Sequence, residues 1–141
     1  MTTIAYDGKT LAADTLITSG TLAFGHMRKL HKLTDGRHVA LCGNMALEPE
    51  ILAWLNGKGE KPVLDADEEI GGLLVDKKGN AFEVSGSLRL HPACVPWAGG
   101  SGEHIALAAM ALGKTAVEAV ALACKMDVKT REPIDSVRIC G

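Results

Sequence analysis

Two threonines stand directly behind Met1, at the head of the run MTTIAYDGKTLAADT. If Met1 is kept, Thr2 is a strand residue of good β-propensity. If Met1 is removed, as the small threonine side chain favours in a cell, Thr2 carries a free amine and a hydroxyl on adjacent carbons. That pair is a nucleophile with its own base attached. A free α-amine has a reference pKa of about 7.7–8.0 and can take a hydroxyl proton near neutral pH, whereas lysine side chains titrate near about 10.4.

Asp14 and Lys29 are the next residues suited to chemistry. Both fall in or beside apolar runs, LAAD and RKL, which favours a buried, functional pair over a surface ion pair of little worth. Arg28 and Lys32 read as a solvated basic face. Ser101, in GGSGE, is placed to cap a helix. The GGSG run suits an anion at a helix N-terminus but lacks the Lys-Ser/Thr ending of a P-loop, which argues against nucleotide binding. His26, His31, His38, His91 and His104 have no metal-ligand spacing, and Cys42, Cys94, Cys124 and Cys140 form no C-x-x-C pair. Free thiols in a reducing compartment are the better reading, with Cys42 a small buried residue. Tyr6, Trp54 and Trp97 fall in separate elements and read as packing residues rather than an aromatic cage.

These residues need a scaffold, and the composition allows one. The chain has 141 residues, 47% hydrophobic and 23% charged, consistent with one folded domain over 1–141 rather than a disordered chain. Only 4% is aromatic, so the core is expected to be aliphatic. A net charge of −2 without a sustained basic stripe argues against nucleic acid or an anionic membrane as partner. The longest apolar runs, IALAAMAL and AVALAC, fall short of the ~18 residues of a membrane span. No basic segment followed by an apolar stretch opens the chain, which points to the cytoplasm.

The element pattern predicts strands at Thr3 to Tyr6 and Thr10 to Ala13 around the turn DGK. An extended run follows from Leu16 to Gly25. A second hairpin joins MRKLHKL to HVALCG through TDGR. A helix is predicted from about Ala46, with Pro49 in its first turn and Gly57 at its end. GGLLVD and NAFEVS flank KKG as a third hairpin, while LRLHPACVPWAG is ambiguous because Pro92 and Pro96 limit a strand there. Two helices come next, one capped by Ser101 and ending at Gly113. The other opens on the T-x-x-E box of Thr115 to Glu118 and carries Val117, Val120, Ala121 and Cys124 on one face. DSVRIC offers a last strand. Hairpins with helices over their outer faces make an α+β domain of antiparallel sheets.

In order and at comparable spacing, TTIAYDGKTLAADT, MRKL, ALCGNMA and GGSGEHIALAAMAL resemble the proteasome β-subunit and HslV peptidase family of N-terminal nucleophile hydrolases. The resemblance runs over most of the chain. It implies a four-layer αββα sandwich and peptide-bond hydrolysis without a metal or organic cofactor. Thr2 would be the nucleophile after loss of Met1, Lys29 the active-site lysine and Asp14 its acidic partner. Gly43 would supply the backbone N–H of the oxyanion hole. Ser101 would lie near the nucleophile's amine, with Asp127 and Thr130 of MDVKT as the family's Asp-x-x-Ser element. Leu41 and Met45, on either side of Gly43, would shape an apolar pocket for the substrate side chain.

The same resemblance implies a peptide or unfolded-protein substrate and a homo-oligomeric ring, and it leaves room for an ATP-dependent unfoldase as partner. Two departures stand out: the tight DGK turn shortens the distance from Thr2 to Asp14, and the region after Lys125 is abbreviated. Two other functions suit the same fold, a non-catalytic shell subunit with Met1 retained and an amidase for small molecules.

Overall fold

A computed structural model describes residues 2–139. Strands β1 (Thr3–Tyr6) and β2 (Thr10–Ala13) pair antiparallel, with Ile4 opposite Ala13 and Tyr6 opposite Leu11. The run from Leu16 onward, expected as one extended stretch, is instead a second hairpin. Its strands are β3 (Leu16–Ser19) and β4 (Leu22–His26). The chain reverses at Gly20, whose φ of +58° lies in the left-handed region that glycine enters freely.

Strands β5 (Leu30–Lys32) and β6 (His38–Gly43) lead through a single 3-10 turn, Met45–Leu47, into α1 (Glu48–Leu55). Pro49 lies in the first turn of α1, where the missing N–H leaves no hydrogen bond unmade. Strands β7 (Ile70–Val75), β8 (Ala81–Val84) and β9 (Leu90–Pro92) complete this half, so the ambiguous proline-rich stretch opens as a short strand ending on Pro92. It closes as β10 (Trp97–Gly100), followed by α2 (Glu103–Ala111), α3 (Ala116–Met126) and β11 (Asp135–Arg138).

The strands form a four-stranded sheet ordered β10-β1-β2-β11, a five-stranded sheet ordered β5-β6-β7-β8-β9, and the separate β3–β4 pair. Strand alternation stacks the layers, because successive side chains point to opposite faces. Ile4, Tyr6, Leu11 and Ala13 meet Leu30, Ala40, Leu73 and Val75 between the two large sheets. Ala5 and Ala12, on the other face of β1 and β2, pack on Ala106, Ala109, Ala116, Ala119 and Val120 of α2 and α3. The small side chains let the helices lie close to the sheet. Val39, Leu41 and Leu74, on the outer face of the other sheet, pack on Ile51 and Leu55 of α1. The result is the four-layer αββα sandwich of antiparallel sheets.

The capping box of α3 is present, with Thr115 and Glu118 bonded to each other's backbone N–H. Its buried stripe is Ala116, Ala119, Val120 and Ala123; of the expected face of Val117, Val120, Ala121 and Cys124, Val120 is buried and Ala121 and Cys124 are half-buried. Val117 is exposed, since the helix turns its smallest residues toward the sheet.

Asp7 joins two parts of the fold that are distant in sequence. One carboxylate oxygen accepts from the N–H groups of Lys9 and Thr10 in its own turn, and the other from the Ala116 N–H at the start of α3 (2.8 Å). Partial burial alone would raise its pKa, but these backbone donors hold it below the ordinary 3.8. Asp7→Ala is expected to lower stability by about 1–2 kcal/mol through loss of these bonds, read as a lower urea midpoint with an unchanged slope.

Candidate active site

Thr2 immediately precedes β1 and is 2% exposed. The neighbouring strand holds it closely: Gly100 pairs with Thr3, and a Cβ at Gly100 would fall 1.8 Å from the Thr2 carbonyl oxygen. With a φ of +93° as well, position 100 requires glycine.

The Asp14 carboxylate follows β2 directly and is fully buried. One oxygen accepts from the Thr3 N–H (3.0 Å) and from Lys29 Nζ (2.9 Å). The other accepts from the N–H groups of Leu16 (3.3 Å) and Arg131 (3.2 Å). Lys29, 1% exposed, precedes β5. Burial lowers its pKa from the ordinary 10.5, and the charge and hydrogen bond of Asp14 oppose that shift. The pair ties a buried cation to the backbone beside Thr2.

A second polar group braces the other side of β1. Ser101 Oγ donates to Asp127 Oδ2 (2.5 Å) and stands 3.5 Å from the Thr2 carbonyl oxygen. Thr130 Oγ1 donates to the same carboxylate oxygen (2.6 Å). A hydroxyl has one proton to give, so Thr3 Oγ1 is the donor in its 2.7 Å contact with Thr130 Oγ1. Ser101 was expected to cap α2, yet the cap position is Gly102, with no side-chain bond. The serine hydroxyl is engaged by Asp127 instead. Glycine is needed at 102 because a Cβ would meet Thr3 Oγ1 at 2.1 Å. Partial burial would raise the Asp127 pKa, but the Ser101 and Thr130 hydroxyls and the Lys129 N–H hold it below the ordinary 3.8.

Thr2 opens onto a mostly apolar cavity of about 380 Å³ lined also by Cys42, Gly43, Ile70, Gly71 and Gly100. Across Gly43 lies a more polar cavity of about 400 Å³, lined by Thr18, Gly20, Asn44, Asp67 and Lys129. Glu68 and Glu69 border both. Gly43 is at the end of β6 with a φ of +108°, and a Cβ there would fall 2.1 Å from the Glu69 carbonyl oxygen. Burial pushes the Cys42 thiol up to about 11, which keeps it protonated and unreactive near neutral pH.

The residues singled out in the sequence divide into two groups. Thr2, Asp14, Lys29, Gly43, Ser101, Asp127 and Thr130 converge on the Thr2–Thr3 segment and its cavity. Leu41 and Met45 do not line either cavity: Leu41 points into the α1-side core, and Met45 lies half-buried in the 3-10 turn. Alternation along β6 explains the difference, since it turns Leu41 away and Cys42 toward the space between the sheets. Thr3, Gly71 and Gly100 escaped sequence reasoning, although the paired threonines carried a hint. Among the described residues no cluster of three or more His, Cys, Asp or Glu side chains is arranged to hold a metal ion.

No family model matches the sequence, and no curated protein matches it significantly. Solved structures do. BPH from Thiobacillus denitrificans superimposes with a TM-score of 0.75 at 21% identity, covering 97% of this chain and 96% of that one. The same protein in complex with epoxomicin gives 0.73 at 20% identity, covering 99% of both chains. HslV from Trypanosoma brucei gives 0.70 at 19% identity, again over 99% of both. The chain has the HslV fold. In this HslV fold the buried Asp14–Lys29 pair and the Ser101–Asp127–Thr130 chain grip the first strand from opposite sides.

Two outcomes test this arrangement. Asp14→Asn leaves Lys29 buried without its counter-charge and is expected to cost about 3–5 kcal/mol, read from denaturant unfolding. The Asp127 carboxyl binds its proton more weakly in the folded chain than in the unfolded one. Its contribution to stability is therefore complete above about pH 3.8 and is lost as pH falls through the lower folded value. Asp127→Asn should flatten the pH dependence of stability in that window.

Proposed function

We propose that the protein is a threonine-type peptidase of the proteasome β-subunit and HslV family, with Thr2 as its nucleophile once Met1 is removed. The observation that carries this reading is the Asp14 carboxylate, which binds both Lys29 and the amide that follows Thr2, at the edge of a cavity lined by Thr2 and Gly43. The epoxomicin complex of a protein with this fold supports it.

In this mechanism the α-amine of Thr2 takes the hydroxyl proton as Oγ attacks the substrate carbonyl carbon. The Lys29 charge favours the neutral amine and the developing alkoxide. The negative oxygen of the tetrahedral intermediate is held by the Gly43 N–H. The C–N bond then breaks, the amine proton passes to the leaving nitrogen, and an ester remains on Thr2. Water, deprotonated by the same amine, attacks the ester and releases the acid. Ser101 and Asp127 position the amine's surroundings through the Thr2 backbone. No metal or organic cofactor enters the reaction.

Peptides or unfolded chains are the substrates on this reading, and the domain acts in the cytoplasm as a homo-oligomeric ring. The exposed Leu22 and Phe24 on β4 are apolar surface that such an assembly can cover.

Intact mass before and after treatment with epoxomicin tests the proposal. The expected result is loss of Met1 and one adduct per chain, absent in Thr2→Ala. Lys29→Ala is expected to slow labelling at least about 100-fold, by analogy with the loss of other groups that stabilise developing charge. Retention of Met1, or a processed chain that takes no label, overturns the proposal.

A further inference from the structure

Away from Thr2, on the α1 side of the five-stranded sheet, lies a polar pair that the mechanism does not use. His31 Nε2 is in ion-pair contact with Glu48 Oε1. Glu48 is 4% exposed, and its second carboxylate oxygen has no hydrogen-bond partner among the described residues. The half-buried imidazole is the only ionic partner of that carboxylate among them. A buried charge with a single partner depends on it, because removing one member leaves the other uncompensated.

The place of the pair in the chain gives that dependence a use. His31 lies in β5 opposite Val39 of β6, and Val39 packs on Ile51 and Leu55 of α1. Cross-strand neighbours share a face, so His31 also points toward α1. Glu48 is the first residue of α1, whose cap position, Leu47, makes no side-chain bond. The contact therefore ties the start of the helix to β5. A second tie joins the same two stretches of chain, since the Leu41 N–H donates to the Lys29 carbonyl (3.2 Å). Lys29 is two residues before His31, and Gly43 falls between Leu41 and Glu48. The chain from Gly43 to Glu48 is only Asn44 and the 3-10 turn Met45–Leu47. So short a link passes a shift of α1 directly to Gly43.

We propose that His31 and Glu48 are positioning residues for the reaction. Neither lines the Thr2 cavity. By locking α1 to β5, their contact keeps the Lys29 ammonium and the Gly43 N–H in a fixed relation.

This role rests on the peptidase reading, so one arm of its test needs no activity. Glu48→Gln and His31→Gln each remove one member of the pair, and either variant alone suffices. Asp7→Ala, which weakens the fold elsewhere, is the control. At saturating epoxomicin, labelling of Thr2 should slow about 10-fold or more in both Gln variants, with the half-saturating concentration within about 3-fold of wild type, as expected when reacting groups are misplaced and binding is kept. Labelling slowed no more than in Asp7→Ala overturns the proposal.

The other arm is hydrogen exchange of the intact protein, resolved by peptide mass mapping. Relative to residues 3–6, residues 38–44 should exchange about 10-fold faster in the Gln variants, through local opening, and at the wild-type ratio in Asp7→Ala. Where wild type takes the label, the labelling rates decide. If wild type takes none, the peptidase reading fails and exchange decides alone: faster exchange over 38–44 supports the clamp between α1 and β5, and an unchanged ratio overturns it.

Discussion

A buried carboxylate organises this molecule. Asp14 is shielded from water, and such a charge is tolerated only when its oxygens are fully engaged. Its four donors come from β1, from the residue ahead of β5, from the start of β3 and from the segment before β11. These are the parts that must be in register for Thr2 to face Gly43 across the cleft. The electrostatic demand of one side chain therefore fixes the relation between the two large sheets where they meet the cavity.

The hydroxyl chain from Thr3 through Thr130 to Asp127 complements this arrangement. Asp14 holds the backbone of Thr3, and Asp127 holds its side chain through Thr130. Thr2 is thus anchored through the residue after it, at the edge of the cavity that it lines. The glycines at 100 and 102 follow from the same crowding, one against the Thr2 carbonyl and the other against the Thr3 hydroxyl.

Much of the fold was legible because its signals are local. The Asp-Gly turns, the T-x-x-E box and Pro49 each act over a few residues, and each marks a boundary seen in the structure. The face of α3 was misjudged because hydrophobicity favours valine over alanine, whereas close packing of a helix on an alanine-lined sheet favours the reverse. Ser101 was misplaced for a related reason. A serine before a helix reads as a cap, and only the fold reveals the competing carboxylate of Asp127, which arrives from the far end of α3. The site's polar residues were found through motif resemblance, but the cavity walls were not. Gly71 carries no functional group, so its contribution is a volume that exists only once β6, β7 and β10 are assembled.

The β3–β4 hairpin stands apart from both large sheets, and Thr18 and Gly20 near its turn border the second cavity. A two-stranded ribbon has little burial to hold it closed, and Leu22 and Phe24 spend their apolar surface on solvent. Its amide hydrogens should exchange by local opening well ahead of those in β6 and β7. The hairpin that borders the second cavity is thus held less firmly than the large sheets, whereas the cavity of Thr2 is walled by β6, β7 and β10.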